Sequence, residues 1–72
     1  MSRVLMVKYL PERVRQARLE MGWTKRDLAA RLGVTERAVY NWEAGKASAI
    51  RLLNLRALAA LTGRSVDWFT GE

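Results

Sequence analysis

Threonine and glycine alternate at four positions in the middle of the chain, Thr24, Gly33, Thr35 and Gly45, and restrict what the residues between them can become. Thr24 can accept a backbone N–H with its hydroxyl and so cap a helix. Asp27, three positions on, can reach back to complete a capping box. Glycine adopts the positive φ found just past helix ends without a Cβ clash, so Gly33 stops this helix and Gly45 stops the next, for which Thr35 is the N-cap. The spacing predicts helix 2 over about Lys25 to Leu32 and helix 3 over about Glu36 to Ala44, joined by a tight glycine turn.

The apolar residues decide which faces are buried. Leu28, Ala29 and Leu32 fall on one stripe of helix 2, and Ala38, Val39 and Trp42 on one stripe of helix 3. Ala29 is small where two crossing helices must approach closely, and Val34 can plug the turn between them. This is the pattern of a helix-turn-helix. The other face of helix 3 carries Glu36, Arg37, Tyr40 and Asn41, which are polar, long enough to reach outward and without partners on the core side. On a lone amphipathic helix such a face is merely solvated; in this two-helix context it is offered to a partner.

Outside this unit, Pro11 suits a first helical position, so helix 1 is expected over about Pro11 to Met21, ending at Gly22. The apolar run Val4, Leu5, Met6 and Val7 before it then belongs to a short extended N-terminal arm, residues 1–9, to which its β-branched valines are suited. Ser48 is expected to cap helix 4, which runs to about Leu61 and ends at Gly63, and Ser65 to cap a last short helix through Phe69. No repeat, low-complexity segment or linker interrupts the chain. With 72 residues, half of them apolar, a single domain spanning 1–72 with one modest core is expected.

The ordered set Trp23-Thr-Lys-x-x-Leu-Ala-x-x-Leu-Gly-Val-Thr, then Val39-Tyr-Asn-Trp-Glu-x-Gly-Lys46, then Ser65-Val-Asp-Trp68 resembles the lambdoid phage repressor and Cro-like helix-turn-helix family. The likeness extends from about Val14 to Thr70. It implies an all-α, compact five-helix DNA-binding domain in which helices 2 and 3 form the helix-turn-helix. Lys25 stands where the family usually has glutamine, and Glu36 and Arg37 where glutamines are common; these departures bear on the target sequence, not the fold. The resemblance further implies that Arg18, late in helix 1, and Glu43, late in helix 3, form an internal ion pair, and that Trp68 packs in the closing helix. Trp23 and Trp42 fall on buried stripes, so the tryptophans are read as core and not as base-stacking platforms.

Composition narrows the function classes. There is no cysteine, hence no disulfide framework or thiolate metal site, and a reducing cytoplasm is compatible. There is no histidine either, which removes the commonest general base and metal ligand. No catalytic residue, metal site or cofactor is expected. Lysine and arginine outnumber aspartate and glutamate by 13 to 7, a net charge of +6 that points to a polyanion partner. A membrane surface is the rival polyanion, but Val14, Ala17, Leu19 and Met21 make only a moderate stripe that a small core would consume. No apolar run approaches a transmembrane span and no small-residue cleavage site follows the N-terminus, so a cytoplasmic protein is expected.

Duplex DNA presents regularly spaced phosphates, so cations around the binding face supply affinity without sequence information. Lys25 at the start of helix 2, where backbone N–H groups are free to join it, Thr35 at the start of helix 3 and Lys46 just beyond it are the phosphate-binding candidates. Arg26, Arg31, Arg51 and Arg56 are weaker ones. Sequence would be read by helix 3 in the major groove. The planar fork of Arg37 matches guanine O6 and N7, Glu36 can accept from a cytosine amine, and both lie in the first turn, which enters the groove deepest. Glu36 has a plainer role open to it in meeting the helix dipole. Tyr40 can donate to phosphate or lie against a thymine methyl, and Asn41 can contact adenine or a backbone oxygen.

Helix 4 is apolar on two sides. Ile50, Leu53, Ala57, Leu58 and Leu61 are expected to face the core, which leaves Leu52, Leu55, Ala59 and Thr62 on a second stripe. Either the N-terminal segment covers that stripe or a second copy of the chain does. On the latter reading Leu52, Leu55 and Phe69 form a two-fold patch, with Val4, Leu5, Met6 and Val7 crossing as an arm. The sequence therefore points to a homodimeric, sequence-specific regulator of transcription on double-stranded DNA, with repression at a palindromic operator as the default mechanism. A restriction-modification controller, the DNA-binding half of a toxin-antitoxin pair, or a protein-interaction module of the same fold are the alternatives, the last disfavoured by cations gathered round one polar face.

Overall fold

The computed structural model describes residues 2–46 and 50–71, with side chains from Leu10 onward. Within these, the chain forms α1 (Ser2–Glu20), α2 (Lys25–Leu32), α3 (Glu36–Ala44), α4 (Leu52–Thr62) and α5 (Val66–Thr70), and no strand.

The helix-turn-helix boundaries follow from local chemistry. The Thr24 hydroxyl accepts from the Asp27 amide at 3.0 Å while the Asp27 carboxylate accepts from the Thr24 amide at 2.9 Å, a complete capping box. Gly33 then sits at φ 70°, in the left-handed region, and its N–H reaches the carbonyls of Ala29 and Ala30. Two residues later Thr35 caps α3, its hydroxyl accepting from Ala38 at 3.1 Å. Ser65 caps α5 in the same way through Trp68.

Two boundaries differ from the sequence expectation. Residues 2–10 are helical, continuous with α1, so the extended arm expected over 1–9 is replaced by helix over its described residues, 2–9. Pro11 lies inside this helix, where its missing N–H and its ring remove one hydrogen bond to the preceding turn. That single defect is outweighed because Arg3, Leu5, Met6, Lys8 and Leu10 all favour helix and no glycine interrupts them. Helix α4 starts later than expected, with Arg51 at the N-cap and no side-chain hydrogen bond closing it. Ser48, the expected cap, lies outside the described residues.

Helix α1 packs along α3 and α5, α2 against α3 and α4, and α4 also against α5. Val14, Ala17, Leu28, Ala29, Val39, Trp42, Leu55, Leu58, Ala59 and Phe69 form the core. Phe69, Leu28, Leu58, Val14 and Val39 are fully enclosed, each burial contributing about 1.5–3 kcal/mol. The α4 stripes match the expectation in part: Leu58 is in the core and Ile50 and Leu61 pack against it as expected, but the stripes exchange places at Leu53, Leu55, Ala57 and Ala59. Leu55, Leu58 and Ala59 are buried while Leu53 is 78% exposed and Ala57 is also exposed. Both stripes are apolar, so amphipathicity could not choose between them, and the docking of α4 on α2 and α5 does. In consequence Leu55 and Phe69, expected on a two-fold patch, are enclosed in the protomer's own core and offer no surface to a second copy.

Arg18 and Glu43 join α1 to α3. The guanidinium donates through Nε to Oε2 of Glu43 at 2.7 Å, through Nη2 to Oε1 at 2.9 Å, and through Nη1 to the Trp23 carbonyl at 2.9 Å. Both side chains are almost wholly buried. The bidentate geometry satisfies the charges that burial strips of water, and hydrogen bonding to Glu43 raises the Arg18 pKa against the opposing effect of burial.

Candidate nucleic-acid interface

With its apolar stripe sunk against α1 and α2, helix α3 turns its remaining face outward. Glu36, Arg37 and Tyr40 are exposed and Asn41 is half-buried. All four belong to the first two turns of the helix, on the side away from Val39 and Trp42. Glu43, on the same helix, is turned inward to Arg18, so its negative charge is removed from this face.

Of the expected phosphate-binding residues, Thr35 and Lys46 adjoin the two ends of α3, and Lys25 stands on α2. Lys25 is the first residue of α2, at the positive end of that helix, and is half-buried. Thr35 is exposed; its hydroxyl oxygen is occupied in accepting from Ala38, which leaves the hydroxyl proton to donate elsewhere. Lys46 follows Gly45, whose left-handed backbone, at φ 70°, turns the chain back at the end of α3, and the Lys46 amide donates to the Asn41 carbonyl at 3.0 Å. The Pro11 ring lies beside this turn, close enough that a Cβ on Gly45 would touch it at 3.6 Å. The Lys46 ammonium stands 5.5 Å from the centroid of the Tyr40 ring, and the Arg37 guanidinium 5.8 Å from the same centroid.

The other arginines divide by what they touch. Arg31 lies over the Trp23 ring at 4.4 Å, which draws it towards a structural role. Arg13 and Arg64 both lie over Trp68, at 4.7 and 4.1 Å, while Arg13 also donates to the Trp68 carbonyl at 2.8 Å and Arg64 pairs with Glu20. This clasp of α1, α5 and the segment before α5 was missed from the sequence. The four-residue spacing of Arg64 and Trp68 is a local signal for half of it, but nothing local links Arg13 to a ring so distant in the chain. Trp23 and Trp68 are partly buried against the core and Trp42 is within it, so none is presented as a stacking platform.

Arg26, Arg51 and Arg56 are exposed. Among the described residues no group of three potential metal ligands occurs, and no helix is long and apolar enough to cross a membrane. Leu19 and Met21 of the expected α1 stripe remain 50% and 43% exposed, while Val14 and Ala17 are in the core.

The face is therefore one exposed helix side carrying hydrogen-bond donors and acceptors, with Arg37 in its first turn and Lys46 just beyond its end. That shape and chemistry suit the major groove of B-DNA, which admits an α-helix and is flanked by phosphates. A sequence profile described as helix-turn-helix matches residues 14–69. No curated protein matches the chain.

Proposed function

Because the chain belongs to the helix-turn-helix family that includes the lambda repressor and Cro-like proteins, a DNA-binding family of transcriptional regulators, we propose that it acts in the cytoplasm as a sequence-specific repressor that binds a palindromic operator as a homodimer. The observation that carries this reading is the exposed α3 face, with Arg37 and Tyr40 on it and Lys46 just beyond its end. Arg37 and Glu36 read base edges, Tyr40 and Asn41 contact bases or backbone according to docking angle, and Lys25, Thr35 and Lys46 hold phosphates.

Occupancy of an operator would exclude polymerase, and a two-fold dimer would set two copies of α3 about 34 Å apart, in successive turns of the major groove. Leu52 and Leu53, 55% and 78% exposed at the start of α4, are the described apolar residues that support self-association. Val4, Leu5, Met6 and Val7, the other dimer candidates, have side chains outside the described residues.

Two measurements test the proposal. Sedimentation at micromolar concentration is expected to show a dimer. Duplex binding is expected to weaken steeply with salt, since each neutralised phosphate contributes a log-log slope near −0.9 and roughly four to six phosphates held per protomer give about −7 to −11 for the dimer. A slope shallower than about −3 is incompatible with helix docking in the groove.

A further inference from the structure

The two cations that the proposed function uses most, one for reading and one for gripping, meet at a single aromatic ring. Arg37 is three residues before Tyr40 on α3, which brings their side chains together on one face. Lys46 is beyond the end of the helix, and the reversal at Gly45 carries it back to the same ring. Both distances, 5.8 and 5.5 Å to the centroid, are within the range at which a ring quadrupole attracts a cation. Tyr40 itself is 39% exposed, so the ring is open to solvent and to a docked partner. Like charges repel, and a ring quadrupole between two cations offsets part of that repulsion.

We propose that Tyr40 is a positioning residue: its ring holds Arg37 and Lys46 together, so that base reading and phosphate gripping are presented to the duplex as one coupled unit. This rests on the DNA-binding reading above and assigns the aromatic ring, not the phenol hydroxyl, as the working part. Without the ring, each cation must be ordered separately when DNA binds, and side-chain entropy opposes both events. With it, part of that ordering is present in the free protein. An exposed cation–π contact favours the held geometry by about two- to fivefold.

The test has a DNA-free and a DNA-bound arm. In the free protein, NMR is expected to show upfield ring-current shifts for the Arg37 δ and Lys46 ε methylenes that persist in Tyr40→Phe and vanish in Tyr40→Leu. The substitution is on an exposed face, and equal melting temperatures would show that all three proteins fold. In the second arm, a double-mutant cycle of Arg37→Ala and Lys46→Ala is measured on the tightest duplex recovered from random-sequence DNA by the parent protein. In the Tyr40 background each cation helps fix the ring that holds the other, so the double variant is expected to lose about two- to fivefold less affinity than the product of the single losses, whereas in the Tyr40→Leu background the losses multiply. Tyr40→Phe keeps the ring, so the coupling between Arg37 and Lys46 is expected to persist in it whatever affinity is lost with the hydroxyl.

Losses that multiply in the Tyr40 background, or that multiply in Tyr40→Phe as they do in Tyr40→Leu, would overturn the positioning role while leaving DNA binding intact. A parent that retains the ring-current shifts but binds no duplex would overturn the DNA reading and this role with it.

Discussion

Glu43→Ala removes two acceptors from a guanidinium that is only 6% exposed. Arg18 keeps its bond to the Trp23 carbonyl, but its Nε and Nη2 donors lose the carboxylate that satisfied them. Stranding a buried charge in this way costs about 3–5 kcal/mol, less if the site opens to water. A chain of 72 residues has a total stability of roughly 4–11 kcal/mol, so the substitution removes a large fraction of it. For a domain of this size each kcal/mol is about 4–8 °C of Tm, and even the smallest loss lowers Tm by roughly 12–24 °C. Thermal and urea melts followed by circular dichroism measure this directly. Arg18→Ala is expected to behave similarly, since it leaves Glu43 without its cation and the Trp23 carbonyl without its donor. Replacing both partners with apolar residues of similar volume, Arg18→Met with Glu43→Leu, is expected to recover most of the loss, because no charge is left stranded. A Glu43→Ala protein that melts within about 2 °C of the parent yet has lost DNA binding would refute the structural assignment and place the pair in the interface instead.

Arg37→Ala and the lysine variants are expected to separate on duplex DNA. Loss of the Arg37 fork costs about 1–3 kcal/mol on the preferred site and much less on random duplex, whereas Lys25→Ala and Lys46→Ala weaken all duplexes alike and reduce the salt slope by about one for each phosphate no longer neutralised. Equal losses for Arg37→Ala on both duplexes would show that it touches only phosphate. Acid stability follows from two carboxylates. Asp27 is held below the ordinary carboxylate range chiefly by the Thr24 amide, then by the Thr24 hydroxyl, and Glu20 first by Gln16 and then by Arg64. A lowered folded-state pKa stabilises fully above the unfolded value and is lost as pH falls through the folded one, so stability is expected to decline below the ordinary carboxylate range. Asp27→Asn should flatten part of that decline in urea melts taken at successive pH values; an unchanged acid limb would show that the capping box carries no linkage.

Where the sequence could be read, the determining chemistry was local. The starts of α2, α3 and α5 each rest on a side chain bonding an amide three residues away, and the intervening stops on glycines at positive φ. Pro11 shows the limit of such reading: its defect is real but confined to one turn, and the helix-favouring residues before it extend α1 to Ser2. In α4 the difficulty is degeneracy. With leucine or alanine on nearly every side, the residues that face inward are chosen by α2 and α5, and so Leu55 went to the core and Leu53 to solvent. The outward face of α3 was legible because its polar residues are three and four apart, as was the Arg18 and Glu43 pairing through family resemblance. The gathering of Arg37 and Lys46 at Tyr40 was not, since it depends on the path of the chain after Gly45.

If α3 reads base edges in two symmetry-related half-sites, the duplexes it prefers must carry that symmetry. Selection of bound sequences from a library of random duplex DNA tests this most directly, because it reports DNA binding, base preference and half-site geometry together. The expected result is a palindrome with half-site centres about 10 base pairs apart, containing a guanine whose preference is lost when the selection is repeated with Arg37→Ala. Recovery of sequences with no common motif, or of one unrepeated site unaltered by Arg37→Ala, would contradict it.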